Sequence, residues 1–223
     1  MYYNYFFKNI QIQTQRMESV VCIDGVVGAG KTTLGEILAQ DLGLVFFREP
    51  VDNNPLLSKF YHDQERYSFP MQIYFLNKRF KMLKESQSLK GCVMDRSIYG
   101  DVIFARLLLM ENKMSQEEFD LYEDLLKNML EHVAKPQLMV YLDITVDNAI
   151  ARIKERGRDY EQAVPRRYWE QLNEQYNEYF NHYNFSELLV LDVNKADFRK
   201  SGEVREYVLD KIKSKLLAET VTN

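Results

Sequence analysis

Five short, unbroken apolar runs punctuate this 223-residue chain, at residues 20–23, 44–47, 92–94, 138–142 and 188–191. A strand with one face in water alternates apolar and polar residues. An unbroken run is buried on both faces, as in a parallel sheet covered by helices on each side. The intervening stretches supply the helices: residues 32–42 place Leu34, Ile37, Leu38 and Leu42 on one face. Further helices are expected over residues 71–86, 99–110, 115 toward 134, 147–155, 165–183 and 203–217. The third of these opens on a capping box formed by Ser115 and Glu118. Neither an internal repeat nor a low-complexity linker is visible, so residues 17–223 are expected to form one domain. Residues 1–16, with Tyr2, Tyr3, Tyr5, Phe6 and Phe7, lack the apolar core and cleavage site of a signal peptide. They read as a disordered extension, or as an upstream start preceding a natural Met17.

Composition excludes several classes. A net charge of −4 gives no global reason to bind a nucleic-acid backbone or an anionic membrane. No apolar stretch approaches the 18 or so residues of a membrane span. Cys22 and Cys92 sit inside strand-like runs, with neither disulfide nor zinc spacing, which fits a reducing cytosol.

The first strand runs into Gly25-Val26-Val27-Gly28-Ala29-Gly30-Lys31-Thr32, followed by Thr33. This is the G-x-x-x-x-G-K-[ST] phosphate loop, in the strand–loop–helix context it requires. Backbone N–H groups and the helix N-terminus cradle phosphates, Lys31 reaches the β- and γ-phosphates, and Thr32 can hold Mg²⁺. Such a loop establishes only binding of a nucleoside triphosphate or phosphate; the remaining motifs choose among enzymes.

The ordered set of residues 25–33, Arg48-Glu49-Pro50-Val51, Gln72-Ile73-Tyr74, Asp95-Arg96-Ser97 and Arg152-x-x-x-Arg156-Gly157-Arg158 resembles the deoxynucleoside kinase family. Within it the chain is most similar to the bacterial deoxyadenosine/deoxyguanosine kinases, from about residue 17 to beyond residue 193. The resemblance implies ATP and Mg²⁺ as cofactors, a deoxyribonucleoside as acceptor and a homodimer built through apolar helices. The run at residues 104–110 and the helix at residues 119–130 are the sequence's own, slight support for a dimer.

Each motif has a chemical rationale beside the resemblance. Glu49, just past the second strand, lies at the carboxyl edge where doubly wound sheets bind ligands, and the family's base for the 5′-hydroxyl stands at that position. Asp95 matches the acid that positions Mg²⁺ through water and is a second candidate for the base. Arg96 suits transferring phosphoryl oxygens or a brace for Glu49. Arg152 and Arg156, four apart on one helical face, and Arg158 resemble a lid closing over the triphosphate. Glu161 and Tyr61 match the pair that holds the sugar 3′-hydroxyl.

For the base, Gln72 offers an acceptor and a donor to adenine or cytosine, and can swap its amide to suit guanine. Arg79 lies two turns further on the same helix, and Asp101 matches its family partner; Asp101 could also accept from an exocyclic amine. Thymidine-preferring members usually have apolar residues at these two positions. Phe104 is a candidate to stack on the base, whereas Phe75 and Phe80 read as core. Overall resemblance favours deoxyadenosine, with deoxyguanosine or deoxycytidine as alternatives.

Three rival readings compete with this one. A thymidylate-kinase-type nucleoside monophosphate kinase would continue after Arg-Glu-Pro with a glycine pair and a threonine. Here Val51-Asp52-Asn53-Asn54-Pro55 follows, and an acid at Asp52 opposes a charged acceptor. A non-catalytic nucleotide-binding module would lack Glu49, Asp95 or the arginines. A GTPase guanine signature matches by letters at Asn194-Lys195-Ala196-Asp197, but after the last strand and without switch features. The architecture expected is a five-stranded parallel sheet of order 2-3-1-4-5, helices on both faces, and a small arginine lid at about residues 152–162.

Overall fold

A computed structural model describes residues 2–8, 13–16, 20–51, 54–195, 198 and 201–220. Met17, Asp52, Asn53, Ala196 and Asp197, invoked above, lie outside them.

The five apolar runs form one all-parallel sheet. Its strands are β2 (Val20–Asp24), β3 (Val45–Phe47), β4 (Cys92–Asp95), β6 (Leu138–Asp143) and β7 (Glu187–Asp192), in the order β3-β4-β2-β6-β7. Numbered within this sheet the order is 2-3-1-4-5, as expected. Every residue of β2 and β4 is buried, which is why neither strand shows alternation. A second, two-stranded parallel pair joins β1 (Gln13–Arg16) to β5 (Ala134–Lys135).

Register places the chemistry. Val45 pairs with Cys92 and Phe47 with Met94; Ile23 pairs with Asp95. The carboxyl ends of β3, β4 and β2 are therefore level, and the residues leaving them, Glu49, Asp95-Arg96 and Asp24-Gly25, stand in a row along one sheet edge.

Helices cover the sheet: α2 (Lys31–Leu42), α3 (Leu57–His62), α4 (Gln64–Ser86), α5 (Val102–Met110), α6 (Gln116–Leu130), α7 (Val146–Arg156), α8 (Asp159–Gln162), α9 (Arg166–His182) and α10 (Gly202–Thr220). Both halves of the Ser115–Glu118 capping box are formed. Two helix starts differ from expectation, and α6 ends at Leu130, short of residue 134. Helix α4 begins at Gln64, before Pro70, because Asp63 caps it by accepting from Arg66 N at 3.2 Å. The segment after β4 turns through a short 3₁₀ helix at Ile98–Gly100 before α5.

The expectation of a disordered N-terminal extension is corrected for part of its length. Tyr2–Lys8 form helix α1, with Tyr3 and Phe6 fully buried and Phe7 nearly so. Tyr3 donates to Gln175 Oε1 at 3.1 Å, and its ring meets Tyr179 edge-on at 5.3 Å. Phe7 contacts Tyr179 and Phe185 at 5.0 and 4.9 Å. The aromatic residues of the expected extension are a patch of core contributed by the N-terminal segment.

The two apolar helices invoked for a dimer face mainly inward. Met110 on α5 and Leu121 on α6 are exposed. No described helix is long and apolar enough to cross a membrane.

Candidate active site

The phosphate loop closes between β2 and α2. Gly28 has φ 86°, and a Cβ there would stand 2.6 Å from the carbonyl oxygen of Ala149, so only glycine fits. Lys31 donates to the carbonyls of Gly25 and Val26, both at 2.9 Å. Burial, aided by the Arg96 charge, brings its amine down to about 8. Val27, Gly28, Gly30, Lys31, Thr32 and Thr33 line a cavity of about 500 Å³. Val26 and Ala29 point into the core, and neither they nor Gly25 line it.

Across this cavity stands Glu49. Its Oε1 lies 2.9 Å from Arg79 Nη2 and 2.8 Å from Arg96 Nε. Burial pushes its pKa upward, but Arg96, Arg79 and Lys31 outweigh burial and bring it to about 2. Glu49 is thus an ionised acceptor with one oxygen clamped. Arg96 is buried, and its guanidinium lies 5.0 Å above the Phe104 ring. Phe104, expected to stack on a base, therefore already carries a cation on one face while lining the cavity.

Asp95 contacts Thr32 Oγ1 through Oδ2, while its buried Oδ1 has no hydrogen-bond partner among the described residues. Burial raises its pKa, and the nearby Glu49 charge adds to the effect. A hydroxyl and a carboxylate with a spare oxygen form a hard donor set that fits Mg²⁺, provided phosphates and water complete the shell. The described residues contain no cluster of three or more acidic, His or Cys ligands, so no all-protein cage competes with that arrangement.

Helix α4 supplies the floor through Gln72, Phe75 and Arg79, one stripe at helical spacing. Gln72 is buried and lines the cavity. Phe75, read as core, instead lines the cavity with the Arg79 guanidinium 4.8 Å from its ring centre. Phe80 packs against the core as expected. Arg79 contacts Asp101, but Asp101 stands behind it and does not line the cavity. Direct contact of Asp101 with an exocyclic amine is therefore corrected: burial raises its carboxyl to about 7 against the pull of Arg79, and it acts on the cavity through that arginine.

The lid is built from α7 and α8. Arg152 donates to Ala29 O at 3.2 Å and Val193 O at 2.6 Å, stitching α7 to the phosphate loop. Arg156 and Arg158 reach Glu161 at 2.6 and 3.5 Å. All four line the cavity, as does Tyr61 on α3. Every predicted site residue except Gly25, Val26, Ala29 and Asp101 meets in one wall.

The sequence reading missed three contributors. Tyr168 on α9 lines the cavity, and Phe198 lines it beside Gly30. Asp24 is buried at the root of the loop and paired with Arg96 at 3.2 Å. The detectable signal for Asp24 was an acid ending a strand beside two others; nothing local marked the aromatics.

A triphosphate cradle facing an ionised carboxylate over an arginine-rich lid defines a phosphate-loop kinase. More narrowly, the chain belongs to the deoxynucleoside kinase family, whose sequence model matches residues 21–217. A deoxyguanosine kinase of Lactobacillus acidophilus is 39% identical over 207 residues, covering 89% of this chain and 91% of the relative. A deoxyadenosine/deoxycytidine kinase of Bacillus subtilis is 38% identical over 200 residues, covering 88% and 92%. The solved deoxyadenosine kinase of M. mycoides, with dCMP and a flexible dCDP bound, superposes with a TM-score of 0.79. It is 33% identical, and the match covers 90% of this chain and all of that one. The same enzyme with dATP bound gives a TM-score of 0.79 at 32% identity, covering 89% and 100%.

Proposed function

We propose that the chain transfers the γ-phosphoryl group of Mg·ATP to the 5′-hydroxyl of deoxyadenosine, with deoxyguanosine and deoxycytidine as weaker acceptors. The observation that carries this reading is the clamped Glu49, 2.9 and 2.8 Å from two guanidiniums and sharing one cavity with Lys31.

In this reading the triphosphate lies along Gly28 to Thr33, with Lys31 turning from loop carbonyls to phosphate oxygens. Thr32 and Asp95 would hold Mg²⁺, which neutralises phosphate charge when bound. Glu49 accepts the hydrogen bond of the 5′-hydroxyl through its unclamped oxygen and aims that hydroxyl at the γ-phosphorus. A carboxylate with a pKa near 2 is a weak base. Its first task is orientation, and the proton passes to its unclamped oxygen only late, as the new O–P bond acidifies the hydroxyl, which suits a loose phosphoryl-transfer transition state. Arg96 and the lid arginines Arg152, Arg156 and Arg158 face the charge spread over the transferring oxygens.

On the acceptor side, Tyr61 and Glu161 bind the sugar 3′-hydroxyl, and Phe75 and Phe104 supply aromatic faces. Gln72 reads adjacent donor and acceptor groups on the base edge. The polar Arg79–Asp101 pair leaves no apolar niche for a thymine methyl. Gln72 in the cavity supports an amino-bearing base without choosing among them, and support for adenine comes from the deoxyadenosine kinases among the relatives. A homodimer belongs to the same reading, with Met110 and Leu121 as exposed apolar surface. The two buried free cysteines suit the reducing cytoplasm.

The ranking is tested by kcat/KM for deoxyadenosine, deoxyguanosine, deoxycytidine and thymidine with Mg·ATP. Deoxyadenosine is expected highest and thymidine lowest, separated by at least about 100-fold, the scale of a lost polar match. A leading value for thymidine would overturn the base assignment, and one for deoxyguanosine would reassign the purine.

A further inference from the structure

One buried carboxylate beside the cavity has no part in the transfer scheme. Asp24 ends β2 at 2% exposure and gathers three donors on a single oxygen. Its Oδ1 accepts from Gly25 N at 2.8 Å, Arg96 Nη1 at 3.2 Å and the Tyr176 hydroxyl at 3.2 Å. These donors belong to the phosphate loop, to the guanidinium that braces Glu49, and to α9. Arg96 also contacts the Tyr176 hydroxyl directly.

Arg96 needs such a tether. Its φ is 65°, in the left-handed region that a residue with a side chain seldom adopts, so its backbone does not hold this pose by preference. Its amide donates to Ile23 O at 2.9 Å, one residue before Asp24, which ties the main chain to β2 as well. The opposite wall is shaped to admit the carboxylate. A Cβ on Gly100 would stand 2.4 Å from Asp24 Oδ2, so glycine at position 100 is what lets Asp24 sit there.

We propose that Asp24 is a positioning residue that pins Arg96 and the first amide of the phosphate loop in one register. The guanidinium bracing the acceptor carboxylate is thereby fixed relative to the cradle that holds the donor. The inference rests on the kinase reading of this site. Without the pin, Arg96 and Glu49 drift from the in-line arrangement and the Gly25 end of the loop loosens, while Gln72 and the cavity-lining residues Gly28, Gly30, Lys31, Thr32 and Thr33 stay in place. The loss therefore falls on kcat.

The test compares Asp24→Asn, Gly100→Ala and Tyr176→Phe with the unmodified protein, reading kcat, both KM values, Tm and binding stoichiometry for deoxyadenosine. Asp24→Asn is expected to lower kcat about 100-fold per binding-competent site, with nucleoside KM within about threefold. Gly100→Ala should move kcat the same way with Asp24 intact, and Tyr176→Phe about fivefold. A residue that merely supports the fold would lower Tm and the number of competent sites, leaving kcat per site unchanged. Folded variants that keep kcat within about twofold, or lose only KM, overturn the proposal. Should the first two variants fail to fold, Tyr176→Phe, which deletes one hydroxyl, decides by the same split. An unmodified protein inactive on every deoxynucleoside overturns the kinase reading instead. The pin is then judged by exchange of the Gly25 amide, expected about tenfold faster in Asp24→Asn, with unchanged exchange overturning it.

Discussion

Glu49 shows how one side chain can be specified by its neighbours more than by its own chemistry. Burial alone would favour a neutral carboxyl, yet Arg96, Arg79 and Lys31 hold it ionised. In the kinase scheme, Glu49→Gln keeps the shape, removes the charge and replaces one acceptor oxygen by an N–H donor, and should lower kcat about 1,000-fold with little change in nucleoside KM. The same substitution leaves two buried guanidiniums with less compensation. A group whose folded pKa is depressed contributes stability that is complete above its unfolded value and lost as pH falls through the folded one. Urea unfolding should therefore show Glu49→Gln less stable at pH 7 by about 2–3 kcal/mol, a gap that narrows as the pH falls from about 4.5 toward 2. A gap that stays constant over that range would mean that Glu49 is not ionically held.

At the scale of elements, most of the site rides on segments whose sequence signals were plain. Unbroken apolar runs announced a parallel sheet, and the acids and arginines just past β3 and β4 could be placed on its carboxyl edge from the order of motifs. What stayed hidden depended on partners far away in the chain. Helix α1 read as a disordered extension because its aromatics have no local periodic partner; they join the core through residues far along the chain, Phe119, Tyr179 and Phe185 among them. Phe75 looked like core because apolar residues usually are, and it took the Arg79 pairing to turn its face to the cavity. Asp101 was placed correctly against Arg79 but one layer too near the cavity, a depth that spacing along a helix does not encode. If α1 belongs to the core, Phe6→Ala should cost about 3–5 kcal/mol in urea unfolding. A change under about 0.5 kcal/mol would show that α1 is peripheral. The lid carries its own expectation. Arg156→Ala should lower kcat about 100-fold with Tm nearly unchanged, since the side chain is over a third exposed and its partner Glu161 keeps Arg158.

For the molecule as a whole, a net charge of −4 coexists with a cavity whose wall holds Lys31, Arg79, Arg96, Arg152, Arg156 and Arg158. That concentration of cations suits a triphosphate entering from solvent, and the acids Glu49 and Glu161, each paired with arginines of that wall, suit an acceptor without a phosphate of its own. An acceptor already carrying a 5′-phosphate would bring that charge against Glu49. The most direct measurement is the initial rate of ADP formation at saturating Mg·ATP, with deoxyadenosine or dAMP as acceptor and Glu49→Gln run in parallel. Rapid turnover of deoxyadenosine, background rates with dAMP and a loss of about 1,000-fold in Glu49→Gln are expected. Preference for dAMP, or equal rates with and without the Glu49 carboxylate, would contradict a clamped glutamate that orients a nucleoside hydroxyl.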